Sequence, residues 1–275
     1  MTDLVYLYLL SPLHTGGTSQ EGNLVGIARE AHTDLPYVPS STIRGRLRAS
    51  TPSNQRSQLW GNTIDDVTSG TDNQLTQGHL WVGDGSILWL PVPSLSHGVV
   101  WVSCPMLLHR WARLQPTPPT VPPDYSTSLG TGSPLYLKDA ILQGEHLHLW
   151  EDWTAFIPKT VQGIHRVLVL PDHHCATLVQ MSLWRQVKVS LNEHKTVSGG
   201  FRFEEAIPPD TLMYFPWGTT AQANGAATNS TTTFHQILAQ QTTLQFGGQE
   251  SLGRGFTQIS TQISQPVPTA QGVTP

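Results

Sequence analysis

The stretch that decides the fold is residues 36–48, PYVPSSTIRGRLR. Ser41 and Thr42 stand where a helix N-cap is expected, because their side chains can accept hydrogen bonds from the first turn. Ile43 and Leu47 follow four residues apart, so they lie on one face of the predicted helix. That spacing predicts a helix whose apolar face packs on the core.

The same helix carries a second pair of residues with helical spacing. Arg44 and Arg48 are also four apart and share another face. Guanidinium groups near the unpaired N–H groups of a helix N-terminus form an anion site. The spacing fits a solvent-exposed basic face equally well, and it does not decide between the two interpretations.

Outward from this helix, strands and helices are mixed along the chain. The run from Leu4 to Leu10, closed by Pro12, is typical of a buried strand. A Gly-, Ser- and Thr-rich loop follows it at 14–26. Further strands are predicted at 86–93, 99–104, 167–170 and 186–191, and helices at 105–114 and 178–184. The fold class is therefore α+β.

Composition restricts the possible functions. The chain has 275 residues, 38% hydrophobic and 12% charged, with a formal net charge of −4, which fits one domain over 1–275. Because phosphate contacts need Lys and Arg, a nucleic-acid surface can only be local. Two cysteines do not form a disulfide framework, which favours a reducing cytoplasm. No apolar run is long enough for a membrane helix, so no membrane partner is expected.

Three segments have irregular composition. Residues 115–134 contain QPTPPTVPP and predict an extended Pro-rich loop. Residues 218–233 form a Thr-, Ala-, Asn- and Gly-rich stretch, predicted as a low-complexity loop. The tail at 264–275 is predicted to be disordered.

The stretch GGQESLGRGF at 247–256 invites comparison with phosphate-binding loops. It lacks the Lys and Ser or Thr of a Walker loop. It fits a turn that approaches RNA, with Arg254 as its polar contact, and equally a structural turn. The histidines at 146, 148, 173 and 174 lack the paired spacing of a metal site, and no serine-hydrolase elbow is present.

Taken in order, six stretches resemble a known family: SPLHTGG at 11–17, REAHTDLPYVPSSTIRGRLR at 29–48, GDGSILWLPVPSLSHGVVWVSCPMLLHR at 83–110, VLVLPDHHCATLV at 167–179, VKVSLNEHKTVSGGFRFEEAIPPDTL at 187–212 and GGQESLGRGF at 247–256. The chain resembles the backbone subunits of type III-B CRISPR (Cmr) effector complexes, which belong to the RAMP superfamily. This resemblance implies a ferredoxin-like (RRM-like) RAMP core with an inserted thumb and long loops.

The resemblance also implies a function. Family members stack in multiple copies along a guide RNA (crRNA), grip its phosphates, displace one nucleotide at regular intervals with the thumb, and present the rest for target pairing. The implied partners are crRNA, complementary target RNA, copies of the chain and other CRISPR effector subunits. No tightly bound cofactor is implied, and a divalent metal such as Mg²⁺ is expected only if cleavage is retained.

Site residues are implied by the same resemblance. The thumb insertion is placed at about 171–186, and its tip at 173–181. Contacts with the guide RNA are expected from His14, Thr15, Gly16, Gly17, Ser41, Thr42, Arg44, Arg46, Arg48, Lys195, Arg202 and Arg254, and contacts from the thumb from His173, His174, Leu178 and Met181.

One departure from the family pattern concerns catalysis. RNA-cleaving relatives carry an aspartate in the loop before the Arg-Glu dipeptide, whereas this loop reads GNLVGIARE at 22–30 and places Val25 or Gly26 there. Neither side chain can bind a metal or move a proton, so weak or lost cleavage, with no catalytic residue, is predicted. The alternative is an active metal-dependent endoribonuclease that uses a displaced carboxylate, Glu21 or Asp34.

Two further interpretations stay open. A processing endonuclease that acts alone would want a catalytic histidine near the closing glycine-rich loop, and only His235 lies close in sequence. A protein that uses the same fold without RNA is disfavoured by the three arginines of the first helix. A further departure is Ser40, where the family usually has glycine.

Overall fold

Runs of strands and helices are mixed along the chain. The computed structural model describes residues 2–17, 20–21, 23–70 and 73–262. The helices are α1 (Ser40–Ser50), α2 (Ser53–Trp60), α3 (Ile64–Thr68), α4 (Pro105–Ala112), α5 (Asp172–Ser182) and α6 (Ala227–Ala239). The strands are β1 (Asp3–Leu9), β2 (Gln20–Glu21), β3 (Leu24–Val25), β4 (Leu80–Val82), β5 (Ser86–Ser94), β6 (Gly98–Ser103), β7 (Ser126–Thr127), β8 (Leu135–Leu137), β9 (Ala140–Leu142), β10 (His148–Leu149), β11 (Val167–Val169), β12 (Trp184–Leu191), β13 (Val197–Ala206), β14 (Leu212–Thr219), β15 (Thr243–Gln245) and β16 (Phe256–Gln262).

The main sheet is built around β1. Its strand order is β10-β7-β11-β6-β5-β14-β1-β16-β15, and β4 and the β8–β9 pair join it at β14 and β5. β1 pairs antiparallel with β14 and β16, so that Tyr6 lies opposite Tyr214 and Ser260. Both faces of β1 are buried: Val5 and Leu7 enter one hydrophobic cluster, and Tyr6 another. A strand that is apolar on both faces requires cover on both sides.

Helices cover the Val5 face of the sheet. Ile43 and Leu47 of α1 are fully buried there, which confirms the core face predicted from their spacing. Residues of α2, α5 and α6 join the same cluster. The other face is covered by α4 and the segment around Trp150 and Phe156, whose rings lie 5.3 Å apart. The result is a sheet between two layers, an α+β arrangement as predicted.

A second, smaller sheet has the order β12-β13-β3-β2. Strands β12 and β13 and the turn between them form an antiparallel hairpin over 184–206, called the hairpin below. Only its base pairs with the body, through a parallel register of Phe203 with Leu24 and Glu204 with Val25. The distal part of the hairpin is exposed, so this element projects from the body.

The thumb differs in place from the prediction. The segment 172–182 is a helix, α5, and not a projecting insertion. Cys175, Leu178 and Val179 on α5 pack in the main core. Leu178 is only 4% exposed, whereas Met181 is 45% exposed. Leu178 therefore cannot wedge against a base, and the projecting element follows α5 in sequence.

The start of α1 also differs from the prediction. The N-cap is Pro39, and Ser41 and Thr42 lie inside the first turn without capping bonds. The N–H of Ser40 donates instead to the Asp84 carboxylate at 2.6 Å. A carboxylate from elsewhere in the fold thus satisfies the helix end, and no Ser or Thr cap is needed.

The prediction of a loop over 218–233 is wrong in part. Residues 227–233 form the first half of α6, and the loop is confined to the residues before it. The second half of this helix packs in the core through Phe234, Ile237 and Leu238. The apolar spacing that predicts a helix therefore begins only after the low-complexity stretch.

The Pro-rich segment 115–134 is largely irregular, as predicted, but it contains β7, whose Ser126 and Thr127 are buried. The predicted tail at 264–275 lies outside the described residues.

Leu178→Ala should lower the free energy of unfolding by about 2–5 kcal/mol, because it leaves a cavity in the main core. Met181→Ala, on the exposed side of the same helix, should change it by no more than about 0.5 kcal/mol. Urea unfolding of both variants measures the difference. Equal effects would contradict the packing of α5 described above.

Candidate nucleic-acid interface

A cluster of arginines lies where α1 meets α2. The guanidinium group of Arg44 donates to the carbonyl of Trp60, and that of Arg48 donates to the carbonyl of Gly61. Each guanidinium has five N–H donors, so these bonds orient the groups and leave donors for a ligand. The structure thus brings Arg44 and Arg48 together, as their spacing predicted.

Arg56 on α2 extends this cluster and was missed in the sequence. It donates to the carbonyl of Thr51 at 3.0 Å. Burial lowers the pKa of Arg48, and the positive charges of Arg44 and Arg56 lower it further, while Asp66 opposes them. The mutual effect shows that positive charge is concentrated here, on a chain that is negative overall. We call Arg44, Arg48 and Arg56 the arginine cluster.

Arg46 does not belong to the arginine cluster. It lies two residues from both Arg44 and Arg48, about 200° around the helix. It is half-buried, and its Nε atom has no hydrogen-bond partner among the described residues. The predicted anion site at the start of α1 holds the Asp84 carboxylate. Ser41 and Thr42 therefore do not line a free N-terminal site.

The first loop packs against the closing glycine-rich loop. His14 is buried, with Nδ1 2.8 Å from the Glu205 carbonyl oxygen, and its own carbonyl accepts from Gly248 N–H at 2.9 Å. Thr15 is also buried and accepts from Ala28 N–H at 3.0 Å. These side chains hold the fold together, so the structure does not offer them to RNA.

Gly16 and Gly17, in contrast, are exposed. A Cβ atom at Gly17 would lie 2.8 Å from the Ile27 carbonyl oxygen, so only glycine fits this close approach. Of the four predicted residues of the first loop, these two remain accessible.

Arg254 differs most from its predicted role. It is 5% exposed and lies over the Trp184 ring, 3.8 Å from the ring centroid. Its Nη2 atom donates to Gln186 Oε1 at 2.7 Å. Burial lowers the pKa of Arg254 despite the nearby Glu204. The guanidinium is therefore committed to the base of the hairpin and does not face solvent.

The hairpin exposes apolar side chains that nothing in the described chain covers. Six of them are 38–57% exposed: Val187, Val189, Leu191, Val197, Phe201 and Phe203. We call this set the apolar strip. The alternation of Val187, Val189 and Leu191 correctly predicted a strand. It gave no sign that the strand would be uncovered.

Apart from Arg185 and Glu205 at its base, the charged residues of the hairpin lie at its tip and on the face opposite the apolar strip. Lys195 lies in the turn, exposed, with a φ of 59°. Lys188 and Arg202 contact the buried Glu204 carboxylate at 2.6 and 2.7 Å. Burial raises the pKa of Glu204, but these two cations and their hydrogen bonds lower it overall. Lys195 is thus free to meet a ligand, whereas Arg202 has an internal partner.

His173 and His174 lie at the start of α5. Their rings are 4.1 Å apart, and His174 Nδ1 is 3.1 Å from the Tyr125 hydroxyl. Both are exposed, but they belong to the body and not to the projecting hairpin. In the described ranges, no group of three or more His, Cys, Asp or Glu side chains is arranged to hold a metal ion.

The loop at 22–30, which corresponds to the loop that carries an aspartate in RNA-cleaving relatives, borders a cavity of about 500 Å³. Gly26 lines this cavity, together with Arg29, Asp34, Arg185 and Glu205. Glu205 is 2% exposed and is bracketed by Arg29, at 2.8 Å, and Arg185, at 2.9 Å. Its charge is therefore already compensated.

The other carboxylates near this cavity differ in their freedom. Glu30 is paired with Arg110. Asp34 is 73% exposed and lies 3.9 Å from Arg29. The side chain of Glu21 lies outside the described residues. A Mg²⁺ ion needs uncompensated carboxylate oxygens, and the residues described here do not supply a set of them.

Comparisons with known proteins agree with this architecture. The profile of the RAMP superfamily matches residues 6–258. The chain belongs to the RAMP superfamily. A curated relative, the "CRISPR system Cmr endoribonuclease Cmr4" of Pyrococcus furiosus, is 26% identical, over 94% of each chain.

Two solved structures show the same fold. The crystal structure of oligomeric Cmr4 from Pyrococcus furiosus has a TM-score of 0.68 and 22% identity, and covers 95% of this chain and 97% of that one. The cryo-EM structure of the type III-B Cmr-beta complex bound to cognate target RNA contains a chain with a TM-score of 0.73 and 17% identity, at 95% and 97% coverage. The predicted RAMP fold and the resemblance to Cmr subunits are thus confirmed.

The RAMP chain has no helix, within the described ranges, that is long and apolar enough to cross a membrane.

The stability of this RAMP domain should depend on pH through Glu30. Burial raises the pKa of Glu30, but hydrogen bonds from Arg110 and Thr33 outweigh it, so the pKa is lowered. The stabilisation is present above the unfolded-state pKa of about 4.3 and is lost as the pH falls through the lower folded-state value. Urea unfolding of Glu30→Gln should therefore differ from wild type at about pH 7 and much less at about pH 3.

Glu145→Gln is the matched control, because the Glu145 side chain is 80% exposed. A Glu30→Gln deficit that does not change with pH would contradict the ion pair with Arg110.

Proposed function

We propose that this chain is a crRNA-binding backbone subunit of a type III CRISPR effector complex of the III-B kind, stacking in multiple copies along the guide. The observation that carries this proposal is the hairpin, whose apolar strip projects from the body without cover from the part of the chain that the structure describes. Exposed apolar patches of this kind mark binding surfaces. The relatives support the proposal, because one is described as oligomeric Cmr4 and another complex is bound to target RNA.

The arginine cluster supplies the contact with the guide backbone. Arg44, Arg48 and Arg56 form a local positive surface, which is what a chain with net charge −4 needs to bind phosphates. Phosphate contacts are independent of sequence, as required of a subunit that holds any guide and leaves base pairing to read the target. Gly16 and Gly17 let the backbone approach the RNA closely.

The hairpin over 184–206 is the thumb of this proposal, in place of 171–186. Phe201 and Phe203 are exposed aromatic rings, and stacking of an aromatic ring on a base contributes about 1–3 kcal/mol. A projecting ribbon with such rings can displace a base from a stacked strand. Lys195 at its tip can then meet a phosphate.

The proposed partners are crRNA, complementary target RNA, further copies of the chain and other CRISPR effector subunits, in the cytoplasm. A modest basic surface suits this assembly, because a uniform charge over each copy would oppose stacking.

Cleavage of the target is proposed to be weak or absent. Either Val25 or Gly26 takes the family's aspartate position, and neither can move the 2′-hydroxyl proton or bind a metal. Glu30 and Glu205 are each paired with arginine, so they do not replace it. A divalent metal would take part only if cleavage is retained.

The alternative is an active metal-dependent endoribonuclease with a displaced carboxylate. One observation favours it: Asp34 lines the same cavity as Gly26 and is 73% exposed. Its nearest cation, Arg29, is shared with Glu205. Asp34 is therefore the described carboxylate of this cavity that is most available.

Guide binding should depend on the arginine cluster. The double variant Arg44→Ala/Arg48→Ala removes two phosphate contacts, so the slope of log K against log salt should fall in magnitude by about 1.4, at about 0.7 per single-strand contact. Fluorescence anisotropy with a labelled crRNA measures it. Arg113→Ala, which changes an exposed arginine on another helix end, is the control. An equal loss in that control would contradict a defined binding surface.

The loss of cleavage is tested on the assembled complex, with complementary RNA and Mg²⁺. We expect no regularly spaced products from the wild type and a gain of such products from Val25→Asp. If the wild type cleaves and Asp34→Ala abolishes cleavage, the alternative is correct. Regularly spaced products that survive both Asp34→Ala and Glu21→Ala would refute our account of this loop.

A further inference from the structure

The base of the hairpin is held from both of its faces. Successive side chains of a strand point to opposite faces, so Trp184 and Gln186 lie on one face and Arg185 lies on the other. Arg185 is directly opposite Glu205 on the partner strand. Each face is contacted by an arginine from a different part of the body, Arg254 on the first and Arg29 on the second.

On the first face, Arg254 makes two contacts that use different parts of its side chain. The Cζ atom of the guanidinium lies over the Trp184 ring, 3.8 Å from the ring centroid, and the Nη2 atom donates to Gln186 Oε1 at 2.7 Å. Arg254 comes from the closing glycine-rich loop, which is itself bonded to the first loop through Gly248 and His14. The contact therefore joins β12 to the main body.

On the second face, Arg29 joins three elements. Its Nη2 atom donates to Glu205 Oε2 at 2.8 Å, and its Nη1 atom donates to Gln180 Oε1 and, at 3.2 Å, to the Asp34 carbonyl. Gln180 on α5 donates to the same carbonyl at 2.6 Å. Arg185 donates to Glu205 Oε1. Both strands of the hairpin are thereby tied through Glu205 to α5 and to the loop 29–34.

Backbone pairing alone gives the hairpin a narrow attachment. The paired residues are Phe203 with Leu24, Glu204 with Val25, and the single bridge of Leu13 with Ile207. All three attach β13 or the residue after it, and none attaches β12. A two-stranded ribbon twists easily on so short a pairing, so its direction depends on side-chain contacts.

We propose that Arg29 and Arg254 are positioning residues that fix the angle at which the hairpin leaves the body. They act from opposite faces, so that the loss of either one lets the hairpin tilt toward the other. If the proposed function holds, this angle sets where each hairpin meets the guide RNA relative to its neighbours. Arg254 is then a residue that acts through the hairpin, and not a ligand of RNA.

The chemistry of both contacts requires arginine. A guanidinium is planar, so it can stack on an indole ring and bond in its plane at the same time, and it can donate two bonds in fixed directions. A lysine keeps the charge but cannot do both. Arg29→Lys and Arg254→Lys therefore remove the geometry and keep the electrostatics.

The test is the distance distribution between the hairpin tip and the body in the free protein. Spin labels at Glu193→Cys and Ala49→Cys report it, since both positions are exposed and the native Cys104 and Cys175 are buried. We expect a clearly broader distribution in Arg29→Lys and in Arg254→Lys than in wild type. Arg113→Lys should leave it unchanged. Thermal unfolding of the same samples separates a tilted hairpin from an unfolded chain.

A second measurement covers the case in which a lysine variant does not fold. Trp184→Leu and Glu205→Gln remove the partner of each arginine and should broaden the distribution in the same way. Amide exchange of the hairpin should then accelerate by about 10-fold, as expected for the loss of one cation–π or charge-assisted contact. Distributions as narrow as wild type in both the arginine variants and the partner variants would overturn the proposal.

A third measurement distinguishes a positioning role of Arg254 from direct RNA contact. It also distinguishes a failure of this inference from a failure of the proposed function. Arg254→Gln should leave the slope of log K against log salt for crRNA binding unchanged. If Arg254 contacted a phosphate, the same change would lower the magnitude of that slope by about 0.7. In assembled complexes, chemical probing should show regularly displaced guide nucleotides in wild type and a blurred pattern in Arg254→Lys. A complete lack of displaced nucleotides in wild type would refute the proposed function but not the distance result. If Arg254→Lys showed the same sharp pattern of displaced guide nucleotides as wild type, the proposed effect of the hairpin angle on their spacing would be overturned.

Discussion

The buried carboxylate of Glu205 joins the hairpin to the body of this molecule. A carboxylate that is only 2% exposed needs close polar partners, because removing a charge from water costs several kcal/mol. Arg29 and Arg185 meet that requirement from two directions. Satisfying one carboxylate therefore brings the loop before α1 and both strands of the hairpin to one place.

The pairing of charges inside the fold explains how a chain with few charged residues can still present a binding surface. Arginines such as Arg29, Arg110 and Arg254 are used inside the fold, each with a defined polar partner. Three of the other arginines are grouped in the arginine cluster, and Lys195 is exposed at the hairpin tip. A chain with a net charge of −4 can in this way keep a local anion-binding surface without making its copies repel one another.

The sequence predicted the structure correctly where the spacing of apolar residues fits only one kind of element. Ile43 and Leu47 predicted the buried face of α1, and the run at Leu4–Leu10 predicted the central strand, because spacing and apolarity together determine burial there. The four-residue spacing of Arg44 and Arg48 likewise predicted that they lie on one face of α1. The family resemblance supplied the fold, which spacing alone did not.

The remaining errors share a physical cause, which is that local pattern does not report what lies opposite a side chain. Leu178 and Val187 are both apolar residues in regular elements, yet one enters the core and the other is half-exposed on the hairpin. Arg254 looked like a solvent-facing cation in a glycine-rich loop, but Trp184, 70 residues earlier, covers it. Such contacts depend on the tertiary fold, so only a structure can assign them.

The structure around Val25 bears on the proposed loss of the family's aspartate. Val25 pairs in register with Glu204, whose side chain contacts Lys188 and Arg202. Two positive charges thus face one negative charge, and a local excess of one positive charge remains beside position 25. A second carboxylate at that position would find a partner without disturbing Glu204, since a partly exposed pair of opposite charges costs little. The surroundings of Val25 are therefore compatible with a carboxylate side chain at this position.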